Sequence, residues 1–117
     1  MSARKVIEAY HNARTTGKLV EAGSYLTDDL DFQGSIDRFN KADDFVKAFT
    51  QFQRMLTGVT LLKSFFSENG ASLLYDCYTK SAAGVIKTAE LFIVVNDKIT
   101  EIRLVFNATE LRRLISS

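Results

Sequence analysis

The stretch Glu68–Asn107, ENGASLLYDCYTKSAAGVIKTAELFIVVNDKITEIRLVFN, reads as three consecutive strand-length runs joined by turn signals. Ala71 to Lys80 places Leu73, Tyr75, Cys77 and Thr79 on one face and Ser72, Leu74, Asp76, Tyr78 and Lys80 on the other; the first set looks like the interior. Asn69-Gly70, just ahead, is the pair that most readily supplies the two positive backbone angles of a type I′ hairpin turn. Ser81 to Gly84 makes a looser turn, Val85 to Val95 a long strand, Asn96-Asp97 another turn and Lys98 to Phe106 the last strand. A further strand, Val59 to Glu68, leads into this meander.

Upstream the period changes. A first helix is predicted from Ala3 to Thr16, with Val6, Ile7, Tyr10 and Ala13 on one face, Ser2 placed to cap it and Gly17 suited to a left-handed exit. A short second helix fits Lys18 to Leu26, and strand-like alternation follows through Leu30, Phe32 and Ile36, broken at Gly34. The third helix is predicted to start near Asn40 as its cap, with Asp43 and Asp44 against the positive end of the helix dipole. Its apolar stripe is Phe45, Ala48, Phe49, Phe52, Met55 and Leu56, and Gly58 ends it. A short amphipathic tail, Glu110 to Ile115, carries Leu111 and Leu114. Helices followed by an antiparallel meander imply an α+β fold of one domain, residues 1–117, in which helices close a curved sheet into a pocket.

Composition removes several function classes. Fifteen basic against fourteen acidic residues give a net charge of +1, with no block of one sign that would attract a polyanion, so nucleic acid is not an expected partner. No apolar run has the length of a membrane span, and the single cysteine, Cys77, points to a reducing compartment, so a cytoplasmic location is expected. With one histidine, His11, and one cysteine there is no zinc set and no base for a serine triad beyond His11. The glycines match no phosphate loop, and neither a metal nor a cofactor is expected.

The strings AELFIVVNDKITEIRLVFN, LLYDCYTKSAAGV and GKLVEAGSYLTDDLDFQG resemble the nuclear transport factor two-like superfamily, in particular its SnoaL-like and ketosteroid isomerase-like domains, over nearly the whole chain. The resemblance implies a cone-shaped α+β barrel, with N-terminal helices packed on a curved antiparallel sheet around a deep, mostly apolar cavity. It also implies homodimers made through the outer sheet face. Carried over by position, it places a hydrogen-bond-donating tyrosine at Tyr10 and a carboxylic acid at Glu90. The isomerase general base falls on Gly34, and the last-strand aspartate of the cyclases and epoxide hydrolases falls near Leu104, so both groups are missing.

The orientation of Glu90 hangs on one turn. A two-residue turn at Asn96-Asp97 sets Glu90 opposite Arg103 as an exposed pair, whereas a bulged Val95–Asp97 loop sets it opposite Ile102 and turns it inward beside Phe92, Leu104 and Phe106. The bulged form is favoured because it gathers Phe92, Val94, Ile102, Leu104 and Phe106 on the concave face. Glu90, Tyr10 and Asp76 are then the candidate catalytic residues, although alternation puts Asp76 first on the outer face. Candidate ligand-lining residues are Tyr25, Phe32, Phe49, Phe52, Tyr75, Phe92, Leu104 and Phe106. Three readings follow: a binding domain for a small hydrophobic molecule, an acid–base enzyme of isomerase or cyclase type, and a dimeric association module with outward Lys87 and Arg103.

Overall fold

A computed structural model describes residues 2–107 and 109. The tail expected at Glu110–Ile115 lies outside the described residues. In chain order the elements are α1 Ala3–Thr15, α2 Leu19–Gly23, β1 Leu26–Gln33, β2 Arg38–Phe39, α3 Ala42–Gln53, β3 Leu56–Phe66, β4 Gly70–Thr79, β5 Val85–Val95 and β6 Lys98–Phe106. Their strands form one six-stranded sheet in the order β2-β1-β6-β5-β4-β3. The architecture is α+β with the helices on a sheet, and two details differ from the expected barrel. β1 runs parallel to β6, which makes the sheet mixed, and β2 and β3 remain as its two edges, so it is not closed.

The α1 boundary follows its local chemistry. The Lys5 amide donates to the Ser2 hydroxyl at 3.2 Å, and Gly17, at φ 80°, takes the left-handed exit. Val6, Ile7 and Tyr10 on its inner face pack into a core with Leu30, Phe92, Ile99 and Ile102. α3 is shorter than its stripe suggests: it starts after Lys41, Asn40 is not its cap, and it ends at Gln53. Leu56 and Gly58 belong to β3 instead, where Thr57, Val59 and Thr60 supply β-branched side chains that favour extended backbone.

Two turns exchange the roles their sequences suggest. Asn96 and Asp97, at φ 50° and 64°, form the two-residue turn with both central angles positive, closed by the Val95–Lys98 pair. Asn69 and Gly70 have no positive φ; the β3–β4 turn spans residues 67–70 and closes with the Ser67 amide donating to the Gly70 carbonyl at 2.9 Å. Gly70 is needed for proximity: a Cβ there would stand 2.3 Å from the Phe92 carbonyl oxygen of the adjoining strand.

A β-bulge then decides which way β5 faces. Val94 pairs with Ile99 but Ile93 with Glu101, so Thr100 is the extra residue, and Glu90 ends opposite Leu104. Glu90 therefore points inward with Phe92 and Leu104, as the bulged alternative required. The bulge lies inside β6 and the turn keeps two residues, so neither expected partner, Arg103 or Ile102, stands across from it. No helix among the described residues is long and apolar enough to cross a membrane.

Candidate ligand cavity and its buried polar cluster

Between α3, the last turn of α1, the 34–37 loop and the concave face of the sheet lies a cavity of about 400 Å³. α3 contributes Phe45, Phe49 and Phe52 from successive turns of one face, β1 contributes Phe32, and the sheet contributes Ile86, Leu104 and Phe106. Gly34, where the family's general base would fall, sits in this wall, and an added Cβ would stand 3.0 Å from the Phe32 ring. The volume is in the range that holds small organic ligands.

The one ionised side chain deep in this apolar wall is Arg14, only 3% exposed. Its Nη2 donates to the Tyr75 hydroxyl at 2.6 Å, and that hydroxyl donates onward to Glu90 Oε1 at 2.8 Å. The same Nη2 lies 3.5 Å from Glu90 Oε1, and the guanidinium sits over the Phe49 ring, 4.6 Å from its centre. Glu90 is 2% exposed and does not line the cavity; it meets the wall through Tyr75 and Arg14. Four polar atoms of this region are buried without a hydrogen-bond partner among the described residues: Arg14 Nε, Glu90 Oε2, the Tyr10 hydroxyl and His11 Nδ1.

Burial governs the proton equilibria. It raises the Glu90 pKa, a rise only partly offset by the Arg14 charge and the Tyr75 hydrogen bond. It works against the charge on Arg14, yet Glu90, Tyr75 and Tyr10 outweigh it and hold the guanidinium protonated more firmly than usual. Tyr75 and Tyr10 are pushed up, first by burial, against the pull of Arg14. His11, whose ring centre is 5.3 Å from that of Tyr75, falls to about 4 through burial and then the Arg14 charge. Burial also raises the Cys77 thiol, which lines the cavity in its protonated, poorly nucleophilic form.

The candidate residues separate accordingly. Phe32, Phe49, Phe52, Tyr75, Leu104 and Phe106 line the cavity. Phe92 and Tyr10 do not: they meet edge to face with centroids 5.7 Å apart, in the core between α1 and the sheet. Tyr25 is also absent from the wall, because it lies at the α2–β1 junction, where its carbonyl accepts from the Ile99 amide. Asp76 stands on the outer face, where Lys87 Nζ donates to it at 2.9 Å, since β4 alternates without interruption through the buried Tyr75 and Cys77. Arg103 likewise is engaged outside, with Asp31 and Glu101.

Arg14 is the residue that sequence reasoning missed. Its signal was present: it follows Ile7 by seven residues and Tyr10 by four, which places a cation squarely on the buried stripe of α1. Chemically, Tyr75 uses its own proton on Glu90 and so offers a ligand no free donor, which leaves Arg14 as the charged donor at the polar end of the cavity. No group of three or more His, Cys, Asp or Glu residues among those described could hold a metal ion.

No protein-family model matches the chain, and no curated protein matches it in sequence. Solved structures do match. A protein from Kribbella flavida DSM 17836 is 26% identical, with 96% of this chain and 92% of that one covered at a TM-score of 0.87. An NTF2-like protein of unknown function from Cytophaga hutchinsonii ATCC 33406 is 17% identical, with 96% of each chain covered at 0.82. An LEH-like epoxide hydrolase of M. tuberculosis is 17% identical, with 97% and 92% covered at 0.75. Matched by such structures over nearly its full length, the chain has the nuclear transport factor two-like fold.

Proposed function

We propose that this protein binds a small, mostly apolar molecule in the cavity, with a hydrogen-bond-accepting end of the ligand set against Arg14. The observation that carries this is the pairing of a roughly 400 Å³ apolar space with one buried cation in its wall. Binding is favoured over isomerase or cyclase chemistry because Glu90 stands behind Tyr75, Gly34 and Leu104 offer no second acid–base group, and Asp37, the one carboxylate in the wall, is solvent-exposed. The ligand 2-acetonaphthone, an apolar ketone of suitable bulk, is expected to raise the melting temperature by roughly 10 °C when present at a hundred times its Kd. Ala48→Phe, which fills the wall of α3, is expected to abolish the shift while the protein stays folded. A flat response, or an equal shift in Ala48→Phe, would sink the reading.

The outer face of the sheet supports a second element of function, a homodimer. Phe65, Leu91 and Val105 are 69%, 42% and 64% exposed there, an apolar surface that a second copy of the chain would cover. Leu91→Lys is expected to convert dimers to monomers in light scattering without loss of fold. A wild-type protein that is monomeric at high concentration removes the dimer and leaves the cavity reading intact.

A further inference from the structure

Arg14 is a permanent cation, and the one carboxylate that answers it is poorly placed to remain an anion. Glu90 accepts one hydrogen bond, from Tyr75 to Oε1, while Oε2 is buried with no partner. A carboxylate in that position is half satisfied, and protonation relieves the open acceptor of its charge. The groups that face Glu90 are few. α1 brings Arg14 and Tyr10, β4 brings Tyr75 and Cys77, and the residue opposite on β6 is Leu104, which carries no charge. Arg14 is thus the single permanent charge in the cluster, and Arg14, unlike Glu90, lines the cavity.

A second carboxylate entering the cavity would compete with Glu90 for this cation. With both ionised, the low-dielectric site would hold two anions against one guanidinium; with Glu90 protonated, the ligand and Arg14 form a neutral pair. We propose that the ligand is a compact aromatic or aliphatic carboxylate, and that Glu90 takes one proton from solvent as the ligand assumes the role of counter-ion to Arg14. This rests on the cavity-binding reading above and adds the head group and its proton coupling. The cavity volume suits a body of about a dozen non-hydrogen atoms at liquid-like packing.

Two ligands of equal size separate the ideas: 2-naphthoate and its uncharged isostere 2-acetonaphthone, titrated against the full chain by calorimetry between about pH 5.5 and 8, where a free carboxylate stays ionised. His11, at about 4, does not titrate in this window. Naphthoate affinity is expected to fall as pH rises, by up to about tenfold per unit, because the complex binds more protons than the free protein. Buffers of differing ionisation enthalpy should report uptake approaching one proton for naphthoate and none for the ketone. In Glu90→Gln the competing charge is gone, so naphthoate should bind at high pH at least as tightly as to wild type at low pH, with a flat pH profile. Ketone binding without naphthoate binding, pH-independent naphthoate affinity with no proton uptake, or weaker naphthoate binding in Glu90→Gln would each overturn the carboxylate proposal alone. Failure of both ligands would overturn the cavity reading with it. If Glu90→Gln does not fold, the proton count in the wild type decides.

Discussion

Arg14→Met is expected to lower the free energy of unfolding by about 3 to 5 kcal/mol at neutral pH and above, the usual cost of removing one partner from a buried ion pair. The partner left behind is Glu90, whose only remaining hydrogen bond comes from Tyr75, in a site with almost no solvent exposure. Its pKa is already raised by burial while Arg14 is present, and losing the cation must raise it further. The sign follows from linkage. Where the folded variant keeps a proton that the unfolded chain has released, stability falls as pH rises, from the ordinary carboxylate pKa up to the raised folded value. The loss relative to wild type should therefore be large at pH 8 and shrink in acid towards the packing cost alone. Urea unfolding at a series of pH values measures this directly, and Arg14→Met combined with Glu90→Leu should recover much of the loss. A deficit of the same size at every pH would mean that Arg14 acts through packing on Phe49 and not through Glu90.

Gly70→Ala is expected to cost about 3 kcal/mol, the upper range for forcing one extra carbon into a close-packed site. The added carbon would meet the Phe92 carbonyl oxygen at 2.3 Å, and a backbone oxygen within a strand cannot swing aside as a side chain can. β4 and β5 would have to part at the Gly70–Ile93 pair, where the neighbouring Val94 amide donates to the Asn69 carbonyl at 2.8 Å. Gly84→Ala is the comparison that isolates this effect. Gly84 has φ 64° and nothing within 4 Å of its would-be Cβ, so alanine there should cost only the left-handed penalty, about 1 kcal/mol. Equal losses for the two variants in urea unfolding would refute the close-approach account of Gly70.

The meander was legible because its information is local. Alternation through Leu73, Tyr75 and Cys77 marks the inner face of β4, and the helical spacing of Phe45, Phe49 and Phe52 marks the wall that α3 presents. The partner of β1 was not legible, since Leu26–Gln33 carries no mark that its neighbour is a strand some seventy residues away or that the two run parallel. Nor does Thr-Glu-Ile at residues 100–102 advertise a bulge, although that single extra residue turns Ile102, Leu104 and Phe106 to the concave side. The site divides along the same line. Glu90 stood out as a carboxylate in an apolar run, while Arg14 resembled an ordinary surface cation near a helix end, and its burial depends on Tyr75 and Glu90 from distant strands.

The parallel pairing of β1 with β6 also imposes an order in time. Apart from the two residues of β2, β1 has no strand to hydrogen-bond with until residues 99–103 exist, and the ribosome makes these some seventy residues later. The hairpins from β3 to β6 can close as soon as each is complete, because their contacts are short in sequence. β1 thus waits, most of its backbone groups unpaired, while the whole β3–β5 meander is made. Made before the other five strands, β1 is the last to gain its long partner.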